Sequence, residues 1–270
     1  MRIDKFRVVP SPNLEIFNKI DVVKFPTTTE RIGTDQLVGD NVATIESTWY
    51  NKANGGIRMR DFPMFTTDFG VASLILKEVP YRQEAYIVIQ SALEPEELLR
   101  ECISFCRMVG AERIFARGHG DLAQYPHYST LYQMRGRLVL DPEKIAHLWP
   151  VTQETVEKWR ELINNRLRGI DHAATLEKKD EKEILEQGGA YFVHRDGKLL
   201  GAGWMVDEQL KMIVSCCPCM GEVVLHSLLS VAEPEWIELD VVSTNERAIR
   251  FYERVGLVKT AEHYNWYRVL

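Results

Sequence analysis

Three groups of residues in the C-terminal half have types and spacings suited to chemistry. The first is Cys216-Cys217-Pro218-Cys219, whose C-x-P-C spacing at the mouth of an apolar run is that of a dithiol redox pair. Only one proline, Pro234, follows these cysteines, whereas a thioredoxin-like fold keeps most of its mass and a cis-proline downstream. Zinc is disfavoured too, because the three cysteines lack a second ligand pair at the usual spacing. Small apolar fillers are the better reading of them. The second group is the turn Met220-Gly221-Glu222-Val223, with Val224 continuing into "VLHSLLS". A helix starting at Gly221 offers unpaired N–H groups and a positive partial charge, which together suit an anion such as a phosphate. The third is Asp240 in "WIELDVV". Period-two alternation puts Trp236, Glu238 and Asp240 on one face and Ile237, Leu239 and Val241 on the other. A carboxylate at that strand end can act as a proton acceptor or remain a solvated charge; Glu238 is the alternative on the same face.

These residues need elements to position them. Thr152 is a candidate cap for an amphipathic helix carrying Val156, Trp159, Ile163 and Leu167. "EKKDEKEILEQGG" reads as a short helix stopped by Gly188-Gly189. Asp196-Gly197, between two apolar runs, predicts a two-residue hairpin, and "LKMIVS" extends it to a three-stranded meander. The opening turn and helix follow, then the strand "WIELDVV", the helix "NERAIRFYERVG" and a last extended segment. This is an α/β order.

In the N-terminal half, "MFTTDFGVASLILKEV" and "EAYIVIQ" read as strands and "RIFA" as a later one. "EPEELLRECISFCRMVG" reads as a helix, with Pro95 in the first turn, an apolar face of Leu98, Leu99, Cys102, Ile103 and Cys106, and Gly110 as a stop. "LYQMRG" (131–136) echoes "FYERVG" (251–256), which together with the element order predicts an internal duplication. The expected boundary is near Pro150, giving domains 1–149 and 150–270.

With 45% apolar and 27% charged residues the chain is of globular type, and 33 basic against 39 acidic residues leave a net charge of −6. No dense Lys/Arg block offers a nucleic-acid footprint. "MRIDKFRVVPSPN" lacks the apolar core of a secretory signal, and "GVASLIL" is too short to cross a bilayer. Five cysteines, bunched in two places, argue against a disulfide framework and fit a reducing cytoplasm.

Asn245-x-x-Ala248-Ile249-x-Phe251-Tyr252-x-x-x-Gly256-Leu257 closely resembles the last conserved motif of the GNAT acyltransferase superfamily. The resemblance is strong over about twenty residues, fair over 190–270 and weak in the N-terminal half. It implies an α/β (α+β) fold of tandem GNAT-like domains, each a mixed, largely antiparallel sheet flanked by helices. The C-terminal copy would hold acetyl-CoA, as cosubstrate, where two parallel strands splay apart. The resemblance further implies that Val214, Ser215 and Cys216 line the pantetheine arm and that Gly221, Glu222, Val223 and Val224 cradle the pyrophosphate. The family usually has Arg or Gln and two spaced glycines at that turn. Here Val223 adds a Cβ and Glu222 a negative charge. Asn245 matches the asparagine that contacts pantetheine, against a plain helix start in which Ser243 and Glu246 form a capping box. Tyr252 matches the tyrosine that protonates the departing thiolate, against a core aromatic beside Ala248, Ile249 and Val255. Asp240 stands where many members carry the general base. Tyr125, seven residues before Tyr132, stands where the other copy has Asn245, and acidic "EPEEL" would repel a pyrophosphate; both imply a silent N-terminal copy.

The function expected is acetyl transfer from acetyl-CoA to a small-molecule or peptide amine by direct attack. No membrane or nucleic-acid partner is expected. The alternative is a catalytically silent GNAT-shaped module that works by binding or assembly.

Overall fold

The computed structural model describes residues 64–118 and 122–270, together with two short strands, β1 (Arg7–Val8) and β2 (Thr44–Ile45), that pair in parallel. Apart from Arg7–Val8, the "MRIDKFRVVPSPN" segment lies outside the described residues. The chain divides into two compact units, Met1–Tyr128 with Trp266–Leu270, and Ser129–Asn265.

In the first unit, β3 (Met64–Thr67) and β4 (Gly70–Ile75) form a hairpin, followed by α1 (Val79–Arg82), β5 (Glu84–Ala92), α2 (Pro95–Met108) and β6 (Arg113–Gly118). The stretch from Met64, expected as one strand, is thus two strands and a turn. Thr67 Oγ1 accepts the Phe69 N–H at 3.1 Å, and Gly70 takes φ +151°, where a Cβ would strike the Ser91 carbonyl. Strands β3, β4 and β5 are antiparallel, and β5 then pairs β6 in parallel. Leu98, Leu99, Cys102, Phe105 and Cys106 of α2 bury against Phe65, Leu74, Ile87 and Ile114. Gly110, at φ +98°, ends the helix.

The second unit contains most of β7 (His127–Gly136), β8 (His147–Pro150), α3 (Val156–Leu167), α4 (Asp180–Gln187), β9 (Ala190–Arg195), β10 (Lys198–Val206), β11 (Gln209–Ser215), α5 (Gly221–Ala232), β12 (Ile237–Val242), α6 (Glu246–Arg254) and most of β13 (Val258–Arg268). The expected hairpin is present, with Asp196 and Gly197 both at positive φ, as a tight two-residue turn requires. Ile237, Leu239 and Val241 bury with α5 and α6, while Val156, Trp159 and Ile163 of α3 cover Ala202, Trp204 and Val214. The two core tryptophans satisfy their N–H groups, Trp159 on the Tyr191 carbonyl at 3.1 Å and Trp204 on that of Gly188 at 2.9 Å. Gly201 admits α5 closely, since a Cβ there would lie 2.6 Å from Val224 Cγ2.

Three expectations change. Residues 131–136 are strand, not the counterpart of the α6 end, because each pairs with β12, from Leu131↔Val242 to Gly136↔Ile237. The echo with 251–256 is therefore one of letters, and the alignment of Tyr125 with Asn245 falls with it. For the same reason the units divide at Tyr128/Ser129 rather than near Pro150. The cap of α3 is Thr155, whose hydroxyl accepts the Thr152 N–H at 2.9 Å.

What the units share is a parallel strand pair joined by a helix after antiparallel strands. They differ in how that pair closes. β5 and β6 stay in register from Glu84↔Arg113 to Ile89↔Gly118, whereas β11 and β12 share the single pair Gln209↔Glu238. The second unit thus has the GNAT-like arrangement of a meander, a splayed parallel pair and flanking helices.

Candidate active site

The splay begins after Gln209↔Glu238, so the C-terminal part of β11 carries an edge that β12 does not pair. Which groups lie on that edge follows from alternation. Cys216 donates its N–H to the Leu200 carbonyl at 2.7 Å, and Ala202 faces Val214. In an antiparallel ladder every second residue turns its N–H and C=O to the same neighbour. Val214 and Cys216 therefore spend their N–H groups on β10, and Ile213 and Ser215 turn theirs to the splay. This corrects the expected set. Val214 is also buried beneath α3, and the Cys216 carbonyl accepts an Arg166 N–H at 2.9 Å. Ser215 remains, with its hydroxyl on the Cys217 carbonyl at 2.5 Å.

Beyond β11 the chain turns into α5. Met220 is the N-cap and supplies no side-chain bond, and the first intrahelical acceptor is its carbonyl, which takes the Val224 N–H at 3.0 Å. The N–H groups of Gly221, Glu222 and Val223 thus head the helix, as any helix start leaves them. Val224 is a correction: its N–H is engaged and its side chain is fully buried. The Val223 side chain also turns into the core, 8% exposed, so its Cβ does not obstruct approach to the helix end. A Cβ at Gly221 would sit 3.3 Å from the Phe251 ring, a tight contact that the ring would relieve by shifting a few tenths of an ångström. Nor is Glu222 an uncompensated charge. Lys144 Nζ lies 2.9 Å and Arg254 Nε 3.5 Å from its carboxylate, and the Lys144 hydrogen bond holds its pKa below the usual carboxylate value. Lys144 Nζ also lies 3.5 Å from Asp141, so two cations face two carboxylates and the helix N-terminus adds its own positive partial charge.

Lys144 reaches that place because its loop is tied to α5. His226 Nδ1 accepts the Asp141 N–H at 3.1 Å, and Ser227 Oγ accepts the Ala146 N–H at 2.9 Å. Burial lowers the His226 pKa, with Lys144 adding to the effect.

Asn245 caps α6, its Oδ1 accepting the Ala248 N–H at 3.2 Å. The Ser243–Glu246 box does not form, because Ser243 Oγ takes the Thr130 N–H at 3.0 Å instead. Capping uses the Asn245 oxygen and leaves its amide nitrogen for other partners. Tyr252 lies in the core beside Ile249, 8% exposed, and burial raises its phenol pKa well above the ordinary value.

Asp240 has the expected face. Glu238 and Asp240 alternate with buried Ile237, Leu239 and Val241, and Asp240 is the next residue on its face after the last β11–β12 pair. Glu238 is taken up by Gln209 and lies 4.0 Å from Arg135 Nε, which makes Asp240 the more available carboxylate. Its Oδ1 is 3.2 Å from His263 Nε2 of β13.

Lys144, Arg254 and His263 were missed in the sequence. Arg254 was within reach, two residues after Tyr252 on a helix already identified. His263 required alternation in a last strand read only as extended, and nothing local signals Lys144. The three clustered cysteines are unpaired, Cys216 and Cys217 half-buried and Cys219 exposed at φ +62°. Among the described residues, no group of three or more His, Cys, Asp or Glu is arranged to hold a metal, and no helix is long and apolar enough to cross a membrane.

No protein-family model and no curated protein matches this chain. Solved structures similar to it include a GNAT-family acetyltransferase of Colwellia psychrerythraea, 13% identical, covering 77% of this chain and 84% of that one with a TM-score of 0.44. Another is a GCN5-related N-acetyltransferase of Sphaerobacter thermophilus, 12% identical, covering 73% and 75%, TM-score 0.45. A third is a tandem GNAT protein from the clavulanic acid biosynthesis pathway, 10% identical, covering 74% and 78%, TM-score 0.40.

Proposed function

We propose that the protein is an N-acetyltransferase that moves an acetyl group from acetyl-CoA to an amine by direct attack in the second unit. The observation that carries this reading is the divergence of β11 and β12 after one register pair, with the open N-terminus of α5 directly beyond β11. The N–H groups of Gly221, Glu222 and Val223 receive the pyrophosphate, and Lys144 and Arg254 offset Glu222. Ile213 and Ser215 offer the backbone edge that the pantetheine amides pair with, and Asn245 donates its side-chain amide to the same arm. Asp240 supplies the carboxylate that deprotonation of the attacking amine requires. Tyr252 protonates the leaving thiolate, and its raised pKa keeps that phenol protonated until then. The acceptor is a small-molecule or peptide amine, and the setting is the cytoplasm. The N-terminal half acts as a silent copy: its parallel pair is closed, and Glu96 and Glu97 stand in the first turn of α2.

One observation favours a second reading, a GNAT-shaped binding module. Tyr252 is packed into the core, where a purely structural aromatic would also be. A thermal-shift titration separates the outcomes, because a ligand that binds only the folded state raises its stability. Acetyl-CoA should raise Tm, and amines should then release free CoA thiol. A rise in Tm without thiol release supports the module, and no rise at all contradicts both readings.

A further inference from the structure

Asp240 does not face the splay alone. His263 reaches it from β13 across the intervening strand β7, with Nε2 3.2 Å from Asp240 Oδ1. Gln133, the register partner of Asp240 on β7, is held by the Thr260 hydroxyl at 3.0 Å. The result is a polar strip of Asp240, Gln133, Thr260 and His263 over three strands, starting one same-face step past the point where β11 and β12 part.

We propose that His263 is the group that takes the amine's proton and that Asp240 is its positioning residue. The inference rests on the acetyltransferase reading above and assigns the base within it. An ionised carboxylate only accepts hydrogen bonds, so a neutral imidazole facing Asp240 through Nε2 carries its proton there. Nδ1 is then left with the lone pair, which is the form a general base needs. The carboxylate also stabilises the imidazolium that forms, the division of labour seen wherever an acidic residue orients a catalytic histidine. In the step itself the amine nitrogen forms a C–N bond to the thioester carbonyl carbon while its proton passes through an intervening water to His263 Nδ1. The C–S bond breaks with its electron pair on sulfur, and Tyr252 supplies the proton that makes the thiol. Solvent returns the proton from the imidazolium to the phenolate, so atoms and charge balance.

The test uses the full chain, acetyl-CoA, and hydroxylamine as a small acceptor that needs no tailored pocket. Free CoA thiol released above the enzyme-free rate reports turnover, since hydroxylamine attacks thioesters unaided, and calorimetry reports acetyl-CoA affinity. His263→Ala should lower kcat by about 10²–10⁴-fold, leave acetyl-CoA affinity unchanged, and regain part of its rate when imidazole is added. Asp240→Asn should lower kcat less. Its effect should also appear in the ¹⁵N shifts of the His263 ring, which report Nε2–H in the wild type and a mixture of tautomers in the variant. Full turnover by His263→Ala, or a loss that imidazole does not restore, overturns the base assignment while leaving the acetyltransferase reading intact. An unchanged tautomer in Asp240→Asn overturns the positioning role without reference to activity. A wild-type chain that binds no acetyl-CoA, or releases no thiol, overturns the parent reading and this inference with it.

Discussion

Val223 and Tyr252 are two side chains whose surroundings decide what their removal would do. Because Val223 points into the core, Val223→Gly should not improve a phosphate cradle. It should lose about 1.5–3 kcal/mol of side-chain burial and a further 0.5–1 kcal/mol, roughly, for glycine within a helix. Denaturant unfolding would show a lowered midpoint; an unchanged midpoint would mean that the side chain is not buried as described. For Tyr252→Phe the packing is nearly retained, so chemistry and stability separate. Turnover should fall about 10²–10⁴-fold with acetyl-CoA affinity unchanged, since the phenol acts on the leaving group and not on binding. Full turnover in this variant would return Tyr252 to a purely structural role.

The loop carrying Lys144 depends on α5 through the neutral form of His226. Its folded pKa is lowered, so the unfolded chain binds more protons as pH falls. Stability from this contact is therefore complete above the ordinary histidine value of about 6.5 and declines as pH drops from there toward the folded value. Protonation also turns Nδ1 from an acceptor into a donor facing the Asp141 N–H. His226→Asn, which can keep an acceptor in place, should flatten that part of the stability-against-pH curve; an identical slope in both proteins would contradict the assignment. Elements of this kind show where the sequence was readable. The meander, α5, β12 and α6 were legible because Asp196-Gly197, the alternation in "WIELDVV" and the apolar face of α6 are local signals. The Thr67–Gly70 turn was readable from Asp68 and Gly70, both turn-forming residues, but the apolar residues on either side masked it. β7 was misread because six letters matched a helix end while its pairing with β12 is non-local. The positions of Asp240 on the polar face of β12 and of Asn245 at the start of α6 were legible from strand and helix ends. The neutralisation of Glu222 was not, since Lys144 lies far away in sequence and meets it only through the His226 and Ser227 ties.

Each unit offers a parallel strand pair, and only the second parts. A six-pair ladder in β5–β6 leaves no edge for an incoming amide, whereas the backbone groups of Ile213 and Ser215 in β11 face away from β10 and are not paired by β12, beside a helix N-terminus flanked by Lys144 and Arg254. Lys144→Ala should weaken acetyl-CoA binding and reduce its salt dependence, as loss of one cation near a phosphate requires; unchanged affinity at low salt would remove Lys144 from the site. A fragment starting at Pro150 is a poor vehicle for such tests, because it discards Ser129–Gly136, the strand that pairs β12 along its length. The most direct measurement is amide hydrogen exchange on the full chain with and without acetyl-CoA. The account predicts added protection at Ile213–Ser215, at the first turn of α5 and at the start of α6, with none at the first turn of α2. Protection centred on Glu94–Leu98, or no change anywhere under saturating acetyl-CoA, would contradict it.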